Sequence, residues 1–271
     1  MLGAVVGDII GSSYEFVDMK RYDFDLLPQG SRFTDDSVMT IAVAHWLAHY
    51  DEEGLTKEQL ISTMKEFGRN YPFAGYGSSF NCWLWSENPR PYNSWGNGAA
   101  MRVSPVGLYA ETLNEALDLA KLTAEVSHNH PEGIKGAQAV AAAVWMAKHG
   151  HTKEEIRDYI TNNFRYNLTR TVDEIRPTYQ WDVSCQGSVP ESIICFLEGN
   201  DFVDVVRLAV SLGGDADTMA CIAGSIAACI YPIPGWIVNR CEYLLPKDLL
   251  HIIQSFEGYL NILPLFRMLP D

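Results

Sequence analysis

Residues 211–218 read Ser211-Leu212-Gly213-Gly214-Asp215-Ala216-Asp217-Thr218 and lead directly into the small, apolar run Met219 to Tyr231. Two glycines end one helical pattern, and two carboxylates and a hydroxyl stand at the mouth of the next. A second trio, Thr34-Asp35-Asp36, precedes another apolar pattern, with Val38, Met39, Ile41, Ala42, Val43, Trp46 and Leu47 at helical spacing. Acids and hydroxyls are common helix caps, each contributing about 1 kcal/mol, so capping accounts for one residue of each trio. Three oxygen side chains in succession exceed that need. Spacing alone leaves both readings open, capping and a shared divalent-metal site.

The same helical period recurs along the chain. Gly3, Gly7 and Gly11 lie four apart within residues 2–13, which puts a glycine stripe on one helix face and predicts close packing against a neighbour. The motif G-x-x-x-x-G-K-[ST] is absent, which argues against a phosphate-binding loop there. Glu15 follows where the chain turns polar, and residues 18–33 read as a loop. Capping boxes are expected at Thr56/Gln59, Thr152/Glu155 and Ser188/Glu191, the last with Pro190 early in its helix. Helices are expected at Leu113 to Val126, Pro131 to Lys148, Asp201 to Leu212, Trp236 to Leu245 and Asp248 to Leu260. Residues 70–105 differ: rich in glycine, asparagine and aromatic residues, they read as a long irregular binding segment. No two-residue alternation and no linker composition interrupts the pattern. The expectation is a single all-α domain over residues 1–271.

Composition sets outer limits. The 34 acidic and 20 basic residues give a net charge of −14, which argues against a broad nucleic-acid or anionic-membrane surface. A local phosphate pocket built on backbone N–H groups or metal ions stays compatible with that charge. The six cysteines show no C-x-x-C spacing and read as reduced thiols. No signal-peptide pattern opens the chain, and the apolar run 219–231 is shorter than the ~20 residues a membrane span takes. A cytoplasmic monomer is the expectation.

Convergence of the trios would place Glu15, Asp35, Asp36, Asp215 and Asp217 in a small volume. Repulsion and desolvation would then keep some of them protonated unless hard cations neutralised them. Carboxylate and hydroxyl oxygens suit Mg²⁺ or Mn²⁺ better than zinc. Two such ions sharing one aspartate would orient water and substrate. Histidines His128 and His130 sit at a helix junction, where capping or ligand contact is the simpler reading than a metal site.

Four segments, in order along the chain, resemble the ADP-ribosylglycohydrolase family, which includes the dinitrogenase reductase-activating glycohydrolase and the ADP-ribosyl-acceptor hydrolases. They are Gly3–Glu15 (G-A-V-V-G-D-I-I-G-S-S-Y-E), Phe33–Met39 (F-T-D-D-S-V-M), Gly96–Val103 (G-N-G-A-A-M-R-V) and Ser211–Thr218 (S-L-G-G-D-A-D-T). The resemblance implies an orthogonal multi-helix fold around two Mg²⁺ or Mn²⁺ ions held by Thr34, Asp35, Asp36, Asp215, Asp217 and Thr218. It implies catalytic roles for Glu15, Asp35 and Asp36. It also implies a loop, Asn93, Ser94, Trp95, Gly96, Asn97, Gly98 and Ala99, that wraps the diphosphate of ADP-ribose. Gly77 near the scissile ribose, His128 on the substrate, Val183 in the adenine pocket and Trp95 as a stacking partner complete the expected set. The implied activity is hydrolysis of the bond between C1″ of ADP-ribose and an acceptor, on an ADP-ribosylated protein. Hydrolysis of a small conjugate such as O-acetyl-ADP-ribose, or ADP-ribose binding without turnover, are the alternatives.

Overall fold

In the computed structural model, which describes residues 1–50 and 54–260, the described residues are mostly helical. The first half holds α1 (Leu2–Gly11), α2 (Asp35–Tyr50), α3 (Lys57–Asn70), α4 (Ser78–Trp85), α5 (Gly98–Met101), α6 (Ser104–Tyr109) and α7 (Leu113–Glu125). There follow α8 (Pro131–Lys148), α9 (Lys153–Phe164), α10 (Val172–Ile175) and α11 (Cys185–Glu198). The last part is α12 (Phe202–Ser211), α13 (Ala216–Ala227), α14 (Gly235–Leu244) and α15 (Lys247–Tyr259). Among the described residues, β-pairing is limited to one isolated antiparallel bridge between Gly96 and Ser184. The expected all-α architecture holds; residues 261–271 of the domain read over 1–271 lie outside the described residues. No described helix is long and apolar enough to cross a membrane.

Two helices form the axis. Every residue of α1 and of α13 is buried, as expected for helices whose apolar surface is not confined to one stripe. The glycine stripe explains how closely they approach. A Cβ at Gly3, Gly7 or Gly11 would lie under 3.0 Å from backbone atoms of Gly224, Ala220 or Ala216 on α13. Helices α2, α8, α11 and α12 pack around this pair. The helix preceding α13 is stopped at Gly213 and Gly214, whose φ values of 73° and 82° lie in the left-handed region that side chains other than glycine's avoid. Lys20 clamps the turn by donating to the carbonyls of Tyr179 (2.6 Å) and Leu212.

Capping boxes form at Thr56/Gln59 and Thr152/Glu155 as expected, and an unexpected one forms at Thr171/Glu174. The Ser188/Glu191 box does not form. α11 starts earlier, with Ser184 Oγ accepting from Gly187 N at 3.1 Å, and Pro190 sits inside the helix. Glu191 pairs instead with Arg170 at 2.6 Å. The true cap lacks a Glu or Gln three residues on, so it carries no box signature. Within residues 70–105 the structure has α4, which sequence reading missed. Serine, asparagine and aromatic residues are weak helix formers, and burial of Phe80, Trp83 and Leu84 overrides their propensity.

Candidate functional site

The two trios meet. Helix α2 begins at Asp35 and α13 at Ala216, and their first turns face each other so that Thr218 Oγ1 donates to Asp36 Oδ2 at 3.1 Å. Asp215 makes no side-chain cap for its own helix. Thr34 does accept weakly from Asp36 N at 3.3 Å, but its hydroxyl lies 2.6 Å from Asp8 Oδ1. The trios therefore exceed capping, as their composition suggested.

Asp8 is the residue that sequence reading missed. It sits in mid-α1, fully buried, accepting from the backbone N–H groups of Thr34 (2.9 Å) and Ser37 (3.1 Å) and from both hydroxyls. It thereby ties the start of α2 to α1. A signal was present: an aspartate inside a helix apolar on all sides has no route to solvent, so it must serve something buried.

Oxygens of Asp8, Asp36 and Asp217 lie within 4.8 Å of one another, and so do those of Glu15, Asp215 and Asp217. Asp217 belongs to both groups. Burial raises the proton affinity of all six carboxyls in this cluster. Mutual repulsion adds to burial: the charge of Asp217 acts on Asp35, Asp36 and Glu15, and that of Asp215 acts on Asp217. Glu15 is pushed up to about 8 and Asp215 to about 6. Among the described residues no lysine or arginine forms an ion pair with any of the six. Asp36 Oδ1 is buried without any partner. A cluster with an orphaned carboxylate oxygen, no ion-paired lysine or arginine among the described residues and an all-oxygen donor set fits hard divalent ions. Asp35 stands outside both groups, half-buried, with Oδ1 facing Gly75.

Above this floor lies a cleft of about 470 Å³. Its lining includes Glu15, Asp35, Asp36, Asp215, Asp217 and Thr218, with Gly77, Ser94, Gly96, Asn97, Gly98, His128 and Val183 around them. Phe80 and Tyr92, two aromatics of the irregular segment 70–105, also line it, as do Phe16, Ser78, Ser79 and Trp181, which sequence reading did not single out. Thr34 is buried beneath the floor, and Ala99 is fully buried. Asn93 lies on the exposed side of its loop, where Asn129 Oδ1 accepts from its N–H at 2.8 Å. Trp95 does not line the cleft; its ring is half-exposed and meets His130 edge-on.

The glycine loop is pinned on both sides. Asn97 N donates to Val183 O at 2.8 Å and Cys185 N to Trp95 O at 2.9 Å, so residues 95–97 pair with 183–185. Asn97 Nδ2 donates to Asp215 Oδ2 at 2.6 Å, joining loop and floor. Gly96 and Gly98 face His128: a Cβ at Gly98 would lie 3.0 Å from His128 Nε2. The result is a wall of backbone and imidazole above a floor of carboxylates.

Comparison with known proteins agrees with this layout. An ADP-ribosylglycohydrolase family model matches residues 1–261. The chain is 26% identical to human (Homo sapiens) ADP-ribosylhydrolase ARH3 over 333 aligned positions, covering 92% of this chain and 90% of that protein. It is 24% identical to the ADP-ribosylarginine hydrolase Tri1 of Pseudomonas putida (strain GB-1), covering 87% of this chain and 70% of that one. A solved structure titled ADP-ribosylglycohydrolase-related protein complex superposes with a TM-score of 0.66 at 20% identity, over 98% of this chain and 96% of that chain. The four motif segments, the helical architecture and the full-length match together establish that the chain belongs to the ADP-ribosylglycohydrolase family.

Proposed function

We propose that the protein is a divalent-metal-dependent hydrolase that cleaves the bond between C1″ of ADP-ribose and an acceptor, releasing ADP-ribose. The observation that carries this reading is the junction of floor and wall: two carboxylate groups sharing Asp217, set directly under a glycine loop and His128. The first suits hard cations and the second suits a diphosphate, since backbone N–H groups accommodate phosphate without a positive surface. Asp8, Asp36, Asp215 and Asp217, with the hydroxyls of Thr34 and Thr218, would hold two Mg²⁺ or Mn²⁺ ions. When bound, those ions supply neutralising charge and Lewis acidity at the distal ribose.

The chain's own groups divide the remaining work. The glycine loop and His128 fix the diphosphate, and Val183 gives an apolar surface at the cleft edge. Asp35, in the cleft but outside both groups, accepts a proton as a water oxygen bonds to C1″, once cations offset the charges of Asp217 and Asp8 that otherwise favour its protonated form. Glu15, beside Asp217 at the cleft, hands a proton to the departing acceptor. General acid–base help of this kind contributes about 10²–10⁴-fold. The test is a panel of arginine-, serine- and nucleic-acid-linked ADP-ribose and O-acetyl-ADP-ribose, each with Mg²⁺ and with Mn²⁺. Release of ADP-ribose from at least one conjugate, and none from an Asp36→Asn/Asp217→Asn double variant, is the expected result. No release from any conjugate would contradict the reading.

A further inference from the structure

Behind the glycine loop lies a charge that the proposed reaction does not use. Arg102 is the next-to-last residue of the motif Gly96–Val103 and is 1% exposed, among the largest fully buried side chains of the described residues. A buried charge is ordinarily paired with an opposite one, because desolvating it alone is costly. Arg102 has no such partner: among the described residues no carboxylate lies within ion-pair distance. One Nη donates to Thr123 O at 2.7 Å and to Ser127 Oγ at 2.8 Å. Its Nε is buried without a partner, and its guanidinium lies 5.8 Å from the Phe80 ring centre.

The bond to Ser127 has a consequence one residue further on. Ser127 Oγ also lies 2.8 Å from His128 Nδ1, and Ser127 is fully buried. A guanidinium only donates, so Ser127 Oγ accepts from Arg102. Were His128 Nδ1 also to donate, the serine hydrogen would be buried with no acceptor, since among the described residues no other group is bonded to Ser127 Oγ besides its neighbours Arg102 and His128. Ser127 therefore donates to Nδ1, and the imidazole proton sits on Nε2. That nitrogen is the one facing Gly96 and Gly98 across the cleft wall. Burial and the nearby Arg102 both hold His128 well below its ordinary pKa, so it stays neutral and keeps this single donor.

We infer that Arg102 is a positioning residue for a bound diphosphate: through Ser127 it fixes His128 as an Nε2–H donor aimed at the glycine loop, and it places an unpaired positive charge behind that donor. The inference rests on the reading that the cleft binds ADP-ribose. It accounts for how a chain of net charge −14 accepts an anion beside an acidic floor. A hydrogen bond to a charged oxygen contributes about 1.5–3 kcal/mol, which corresponds to roughly ten- to a hundredfold in affinity.

The experiment combines ¹⁵N-histidine NMR with calorimetric titration of ADP-ribose and of Mg²⁺ into wild type, Arg102→Met, Arg102→Lys and Ser127→Ala. In wild type, His128 Nδ1 is expected to be unprotonated and Nε2 protonated. In Arg102→Met the tautomers should mix and ADP-ribose affinity should fall about tenfold or more, while Mg²⁺ affinity does not fall. Arg102→Lys, which keeps the charge, should recover part of the loss. If Arg102→Met does not fold, Ser127→Ala decides the matter, with mixed tautomers and weakened ADP-ribose binding expected. A wild-type His128 protonated on Nδ1 overturns the inference. So do tautomer and ADP-ribose affinity unchanged in the folded Arg102→Met variant, or an equal loss of Mg²⁺ and ADP-ribose binding. A wild type that binds no ADP-ribose overturns the functional reading instead, and the wild-type titration tells the two failures apart.

Discussion

The floor and the back wall of the cleft are unbalanced in opposite senses. On the floor six carboxyls crowd together and, among the described residues, no lysine or arginine pairs with them. Behind the wall a buried guanidinium has, among the described residues, no carboxylate within ion-pair distance. The two regions are joined by Asn97, whose side chain binds Asp215 while its backbone belongs to the glycine loop. They do not neutralise each other, although joining them would have relieved both. Keeping them apart in a folded protein costs stability. The opposing signs identify what each lacks: a cation below and an anion above. A ligand of the proposed kind, with ribose hydroxyls next to a diphosphate, would span both.

Removing a floor carboxylate tests this most severely. Asp217→Asn is expected to lower hydrolysis by about 10²–10⁴-fold, because Asp217 belongs to both carboxylate groups. The same change should stabilise the metal-free protein by about 0.5–2 kcal/mol, as relief of a strained functional site commonly does. Chemical denaturation in chelator beside a turnover assay reads both; loss of activity with loss of metal-free stability would mean that Asp217 is structural. Gly7→Ala attacks the floor through its frame. The added methyl meets the α13 backbone, and overpacking of this kind costs about 1–3 kcal/mol. Thermal unfolding should show the loss, together with weakened Mg²⁺ binding, since α1 carries Asp8 and leads into Glu15.

The acidic start of α2 and the glycine-broken start of α13 were legible in sequence because both held more oxygen donors than a cap uses. Nothing in either stretch says that they meet; that came from the motif order and then from the contact of Thr218 with Asp36. The role of Asp8 was not legible because its partners, the N–H groups of Thr34 and Ser37, come to it only through the fold. Loop side chains were the least legible. Periodicity gives the direction of a residue on a helix, but none exists over residues 93–99, so Trp95 was expected to stack on substrate and instead packs against His130. Helix α4 was hidden for a related reason, since its residues favour the helix only once Phe80, Trp83 and Leu84 have a core to enter.

Proton linkage sharpens the comparison further. Glu15 and Asp215 have folded-state pKa values of about 8 and about 6, above their ordinary values of 4.5 and 3.8. Between those limits the folded state binds more protons than the unfolded one, so metal-free stability should fall as pH rises from 5 to about 8. Mg²⁺ should flatten that slope by replacing the protons. Melting curves across this range check it; a metal-free stability that rises with pH would mean that the carboxyls are already compensated. The smallest effect is expected at Trp95→Ala. With its ring outside the cleft, ADP-ribose affinity should stay within about twofold, whereas a loss of tenfold would return Trp95 to the binding surface.

The most direct test of the acidic floor is a calorimetric titration of metal-free protein with Mg²⁺ and with Mn²⁺, in wild type and in Asp217→Asn. Two ions per chain are expected in wild type, and fewer than two, bound more weakly, once the shared carboxylate is gone. No binding in wild type, or the same stoichiometry and affinity in the variant, would contradict a metal centre built on Asp217.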